Sequence, residues 1–143
     1  MTDAGLHTEE SMAEMNEVNP WTWQDKLQFS QAIEVRGGSR VLYCAGQTSV
    51  DADGTPMHTG NMRGQLEQAL TNLETVLAHA GLSLSNVVRL NYYVTDIAAF
   101  FEASPAFGER LARGRCKPAG TLLHITSLAF PGLMVEIEAT AVE

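Results

Sequence analysis

Apolar residues at Met62, Leu66, Ala69, Leu70, Leu73, Val76, Leu77 and Ala80 recur every three or four positions, the period of one helix face. The pattern predicts an amphipathic helix over residues 61–80, closed by Gly81 as a C-cap. Over residues 87–95 the period falls to two. Val88, Leu90, Tyr92 and Val94 point one way and Val87, Arg89, Asn91, Tyr93 and Thr95 the other, as in a strand with one covered face. Asp96 is placed to cap a short helix over 97–103, and Ser104 followed by Pro105 reads as a second helix start, so a break is expected at 104. Upstream, weak alternation over 29–35 and the apolar run 40–45 flank Gly37-Gly38-Ser39 as a hairpin. Downstream, residues 117–143 read as two strands joined by a Phe130-Pro131-Gly132 turn. The order is ββαβαββ, an α+β two-layer domain with a mostly antiparallel sheet and both helices on one face.

Composition narrows what such a domain can be. A chain of 143 residues suits one domain, with no apolar run long enough for a membrane helix and no signal-like N-terminus, so the expected location is the cytoplasm. Residues 1–20 are polar and acidic and are expected to be a disordered tail ahead of a single domain over 21–143, with Trp21 and Trp23 pinning the tail to the core. The net charge is −8, and Asp3, Glu9, Glu10, Glu14 and Glu17 in the tail supply five of those charges. Nucleic-acid binding draws on Lys and Arg, so an acidic body excludes it as a principal partner. The basic cluster Arg110, Arg113, Arg115 and Lys117 fits a solvated helix end, with an anion site at a pocket mouth as the alternative. Cys44 and Cys116 lack metal-ligand spacing and are expected as free thiols. Asp51-Ala52-Asp53-Gly54 resembles the start of a calcium loop without its later acidic ligand, so no metal is expected.

With both helices on one face, the other sheet face is left uncovered. It is expected to carry Asn91, Tyr93, His124, Thr126, Glu136 and Glu138, too mixed and too large to stay bare, which predicts a homo-oligomer. In a hairpin turning near Phe130, His124 faces Glu136 in one register and Glu138 in the other. Either pairing sets an imidazole against a carboxylate, a candidate general acid–base pair or a satisfied polar pair at an interface.

Three stretches, YCAGQTSVDADGTP, QLEQALTNLETVLAHAGLSLSNVVRLNYYVTD and KPAGTLLHITSLAFPGLMVEIEATAV, together resemble the Rid/YjgF (endoribonuclease L-PSP) family from about Phe29 to Val142. The resemblance implies a chorismate-mutase-like fold assembled as a homotrimeric barrel, sheets inward and helices outward, with small-molecule ligands in three intersubunit clefts. It implies hydrolysis of enamines and imines to carbonyl compounds and ammonia, with no metal or organic cofactor and no membrane partner. Carried over position by position, it also implies departures. The carboxylate-clamping arginine after Pro118-Ala119 is Gly120, a tyrosine is Phe29, a serine before Gly46-Gln47 is Ala45, an asparagine is Ser104 and a cysteine is Leu122. Glu136, the glutamate that would position or activate water, persists. The candidate catalytic residues are thus Glu136 and His124, and the candidate substrate-binding residues are Phe29, Gln47, Tyr93, Ser104, Gly120 and Leu122. Gly120 would leave a vacancy where a clamp normally sits. The expected activity is an imine or enamine hydrolase of altered or weakened specificity. The alternative is a non-catalytic binding or regulatory trimer, and an endoribonuclease is the weakest reading.

Overall fold

A computed structural model describes residues 12–143. Its elements are strands β1 (Glu14–Val18), β2 (Ala32–Arg36), β3 (Val41–Tyr43) and β4 (Gln47–Thr48), helix α1 (Met62–His79), β5 (Val87–Val94), helix α2 (Ile97–Arg113), β6 (Leu122–His124) and β7 (Val135–Val142). The α+β class and the ββαβαββ order are recovered, with β1 and the two-residue β4 added. Helix α1 begins where Asn61 Oδ1 accepts the amide of Gly64 at 3.0 Å, and ends with Gly81 at φ +74°. Its inner stripe of Leu66, Ala69, Leu70, Leu73 and Leu77 is buried against Leu90, Val94, Val135, Ile137 and Ala139 of the sheet. Burying each of these side chains stabilises the fold by about 1.5–3 kcal/mol for the larger ones, which is why α1 is helical here and not merely prone to be.

Neither expected hairpin forms. The main sheet runs β3-β7-β5-β6, with β4 beside β7, and β1 pairs β2 in a separate two-stranded ribbon. At Gly37 and Gly38, both left-handed, the chain turns so that β3 joins β7 through Val41↔Val142, and the last residue anchors the turn by accepting from Ser39 and Arg40 amides. At the other end, β5 lies between β6 and β7, parallel to the first and antiparallel to the second. A parallel neighbour requires a crossover, and α2 supplies it, so β5-α2-β6 is a βαβ unit and not part of a meander.

Two N-terminal expectations change as well. Residues 14–18, expected as part of a disordered tail, form β1 in register with 32–36, while residues 1–11, including His7, lie outside the described residues. Trp21 and Trp23 are 58% and 55% exposed, so they do not anchor the segment. Gln24 does: it is fully buried, donating to the Trp21 carbonyl at 2.8 Å and accepting from Gln31 at 3.3 Å. A buried amide needs its full set of partners, and these hold the 19–31 segment to one path.

Candidate functional site

The segment after that anchor forms one wall of a cavity. Lys26, Leu27, Gln28 and Phe29 face α2 across it, and the β6 edge with Leu90 and Tyr92 forms the floor; the volume is about 740 Å³. Gln28 sits at φ +57° and donates to the Cys116 carbonyl at 3.2 Å, while Ser30 Oγ donates to Lys117 O at 2.6 Å. Lys117 Nζ in turn pairs with Asp25, which holds its pKa above the ordinary range. The wall is therefore tied to the end of α2 at several points. Inside, Tyr92 packs against Phe100 and Phe107 with centroids 5.3 and 5.7 Å apart, and Phe29 is met edge-on by Trp23 at 5.7 Å. Burial pushes the Tyr92 phenol far above its usual range and Cys116 up to about 12, so neither ionises near neutrality.

Four of the eight sequence-derived site residues line this cavity: Phe29, Ser104, Gly120 and Leu122. Ser104 was expected to open a new helix, but α2 is continuous from 97 to 113. Pro105 has no amide to offer the Phe101 carbonyl, and Ser104 Oγ donates to that carbonyl instead, at 3.0 Å. The hydroxyl is thereby engaged in carrying the helix past its proline. Gly120 is not the vacancy expected from its lack of a side chain. A Cβ there would collide with the Leu90 carbonyl of β5, so glycine is what lets the two strands approach. Leu90 and Tyr92 amides donate to Ala119 and Thr121 carbonyls at 2.9 and 2.8 Å, so the main-chain groups of Gly120 and Leu122 point away from β5.

The other four lie elsewhere. Tyr93 and Glu136 are cross-strand partners on the sheet face away from the helices, whereas His124 is in register with Val94 on the helix side. His124 and Glu136 thus occupy opposite faces with β5 between them, and the imidazole–carboxylate pair of the hairpin reading does not form within the chain. Neither does the alternative with Glu138, which accepts from Tyr93 Oη at 3.0 Å and Asn91 Nδ2 at 3.2 Å. That hydrogen bond, then desolvation and the charges of Glu138 and Glu136, raise the Tyr93 pKa. Glu136 lies against Gly46, where any Cβ would meet its carboxylate. Gln47 donates to Ala45 O at 3.1 Å, serving its own loop. The Asn72 amide, inside α1, reaches the Thr48 and Val50 carbonyls at 3.0 and 2.9 Å and so fixes β4 beside Glu136. The sequence reading missed the aromatic wall. Phe100, Phe107 and Leu111 are spaced by seven and four on one face of α2, a periodicity hidden once the helix was taken to break at 104.

Residues 23–143 match the family model described as Endoribonuclease L-PSP. The chain belongs to the Rid (endoribonuclease L-PSP) family. Among solved structures, a Rid-family protein of unknown function from Yersinia pestis, YyfB, superposes with a TM-score of 0.81 at 33% identity, covering 90% of this chain and 98% of that one. Protein DfrA of Myxococcus xanthus is 32% identical over 114 residues, 80% of this chain and 84% of its own. The 2-iminobutanoate/2-iminopropanoate deaminase of Bos taurus is 30% identical over 115 residues, 80% of each chain. Within the Rid family this chain keeps the two helices on one side of a mixed sheet, and no helix among its described residues is long and apolar enough to cross a membrane.

Proposed function

We propose that this Rid-family protein is a hydrolase of imines or enamines whose substrate is not held by a side-chain carboxylate clamp. The observation that carries the reading is the cavity itself. It gathers four of the six candidate substrate-binding positions, Phe29, Ser104, Gly120 and Leu122, yet the charged residues among its lining are Lys26 and Glu109, both exposed. A bidentate arginine–carboxylate contact is worth roughly 1.5–3 kcal/mol or more, so a site without one discriminates poorly in favour of small imino acids. In the reaction, water oxygen adds to the C=N carbon while nitrogen gains a proton; the C–N bond of the resulting amino alcohol then breaks, leaving a carbonyl compound and ammonia. Glu136 is the proposed acceptor of the water proton. Because it lies on the far face of the sheet from its own chain's cavity, a homotrimer in which a neighbouring copy brings Glu136 to the cleft completes the site. The proposed setting is the cytoplasm, with no metal or organic cofactor.

Ammonia release from imines generated in situ tests the reading. Glu136→Ala is expected to lower kcat by about 10²–10⁴, the range for loss of a general acid–base group. Turnover that survives this change removes Glu136 from the mechanism. A second reading, a binding or regulatory trimer, is favoured by a cavity lining that holds no imidazole and no carboxylate but the exposed Glu109, and absence of turnover with every imine would support it. Cleavage of RNA finds little support: Arg110 is engaged by Glu67 O and Glu74, and Lys117 by Asp25, which leaves Arg113 and Arg115 of the basic cluster on an acidic protein.

A further inference from the structure

We infer that the cavity admits an uncharged ligand carrying an aromatic ring, and that Gly108 is the residue that makes room for it. The inference rests on the cavity being the ligand site proposed above. Glycine is, after proline, the poorest helix former, so one inside α2 calls for a reason. Collisions supply it elsewhere: a Cβ at Gly46 would strike Glu136, at Gly114 it would lie 2.9 Å from Leu84, and at Gly120 it would strike Leu90. At Gly108 a Cβ would meet only the Gln28 Cβ, at 4.0 Å, and the residue is not among those with positive φ. Neither backbone nor packing demands glycine there, and the residue lines the cavity. What its missing side chain preserves is the gap between α2 and the 26–29 wall.

The surroundings of that gap specify the ligand. Tyr92, Phe100 and Phe107 present a tilted and edge-on aromatic cluster on one side, and Phe29 stands on the other. Phe101, in edge contact with Phe100, is half exposed among the lining residues, as is Leu27. A space of about 740 Å³ falls within the roughly 300–1,000 Å³ typical of small organic ligands. Such walls favour a ring, through edge-to-face contact, and disfavour a carboxylate, which would be desolvated there with no cationic partner but the exposed Lys26.

Calorimetric titration of the full chain with phenylacetone, acetone and 2-oxobutanoate tests this. Phenylacetone is expected to bind about tenfold to a hundredfold more tightly than either small probe, the increment that burying a phenyl group supplies. Gly108→Leu, which fills the gap and suits a helix, is expected to abolish that preference, while Gly108→Ala is expected to keep it, both with unchanged circular dichroism. The preference of the unmodified chain stands as a test even if the leucine variant does not fold. No detectable binding of phenylacetone, tighter binding of 2-oxobutanoate, or equal phenylacetone affinity in folded Gly108→Leu overturns the inference. Altered oligomeric state in Gly108→Leu with probe affinities unchanged also overturns it, by placing a neighbouring copy in the cavity. Since titration reads binding, a chain that prefers phenylacetone but releases no ammonia from any imine refutes hydrolysis and upholds the ring site.

Discussion

Two glycines show how differently the same absent side chain can act. At Gly120 the atom in the way is a backbone carbonyl of the central strand, which cannot rotate aside; at Gly46 it is the end of the Glu136 side chain, which can. Gly120→Ala is therefore expected to destabilise the fold by about 2–3 kcal/mol, as overpacking does, and Gly46→Ala by under about 1 kcal/mol, with the order read from urea midpoints. Gly46→Ala should instead lower the proposed ammonia release, because Glu136 must move. Installing Gly120→Arg would test strand packing before it tested a carboxylate clamp. Gly120 could be found in the sequence, but its role could not, since what surrounds a missing Cβ is decided by a strand thirty residues away. Cys116 makes a separate prediction. Its thiol, ordinarily near 9.0, is raised by burial to about 12, so its stabilising contribution is whole below pH 9 and is lost as pH rises toward 12. Over that window the stability of Cys116→Ala should fall less steeply than that of the parent, by about 1.4 kcal/mol per pH unit, measured by denaturant titration at each pH.

At the scale of elements, α2 carries the most informative local conflict. Ser104-Pro105 has the chemistry of a helix start, yet the hydroxyl serves the one carbonyl that proline leaves without an amide, and the helix runs through. Ser104→Ala is expected to cost about 0.5–1 kcal/mol, an ordinary hydrogen bond on a partly exposed helix. In a Pro105→Ala background, where residue 105 regains its amide, the same change should cost nearly nothing, and the thermodynamic cycle reads the coupling directly. Equal costs in both backgrounds would remove the hydroxyl's helical role. Periodicity made α1 and β5 legible because most of each apolar face is buried, although a bulge between Val87 and Arg89 puts Val87, not Val88, into the core. Pairing was not legible in the same way. The Phe130-Pro131-Gly132 turn suggests that β6 and β7 are neighbours, but β5, buried on its helix side through Leu90 and Val94, takes the place between them. Strand order follows from which strand buries most, and a turn motif carries no information about that.

For the molecule as a whole, the sheet face away from the helices decides whether the site is complete. It carries Tyr43 at 80% exposure, Val41 at 55% and Leu123 at 48%, around a polar centre where Glu138 is held by Tyr93 and Asn91. Arg89, on the same strand, has no ion-pair partner among the described residues. Exposed apolar side chains ringing an ordered polar centre suit burial against other copies, where Arg89 of one chain can meet a carboxylate of the next. The chain is expected to sediment at three times its 15.5 kDa mass. Tyr43→Asp and Leu123→Asp should each shift it toward the monomer while leaving the helical dichroism intact, because neither side chain reaches the core. The same variants should retain phenylacetone binding only as far as the cavity is formed by one chain, but should lose ammonia release altogether, since the proposed site takes its Glu136 from a neighbouring copy. An unmodified chain that sediments as a monomer and still turns over imines would show that the carboxylate acting in the cavity is not Glu136.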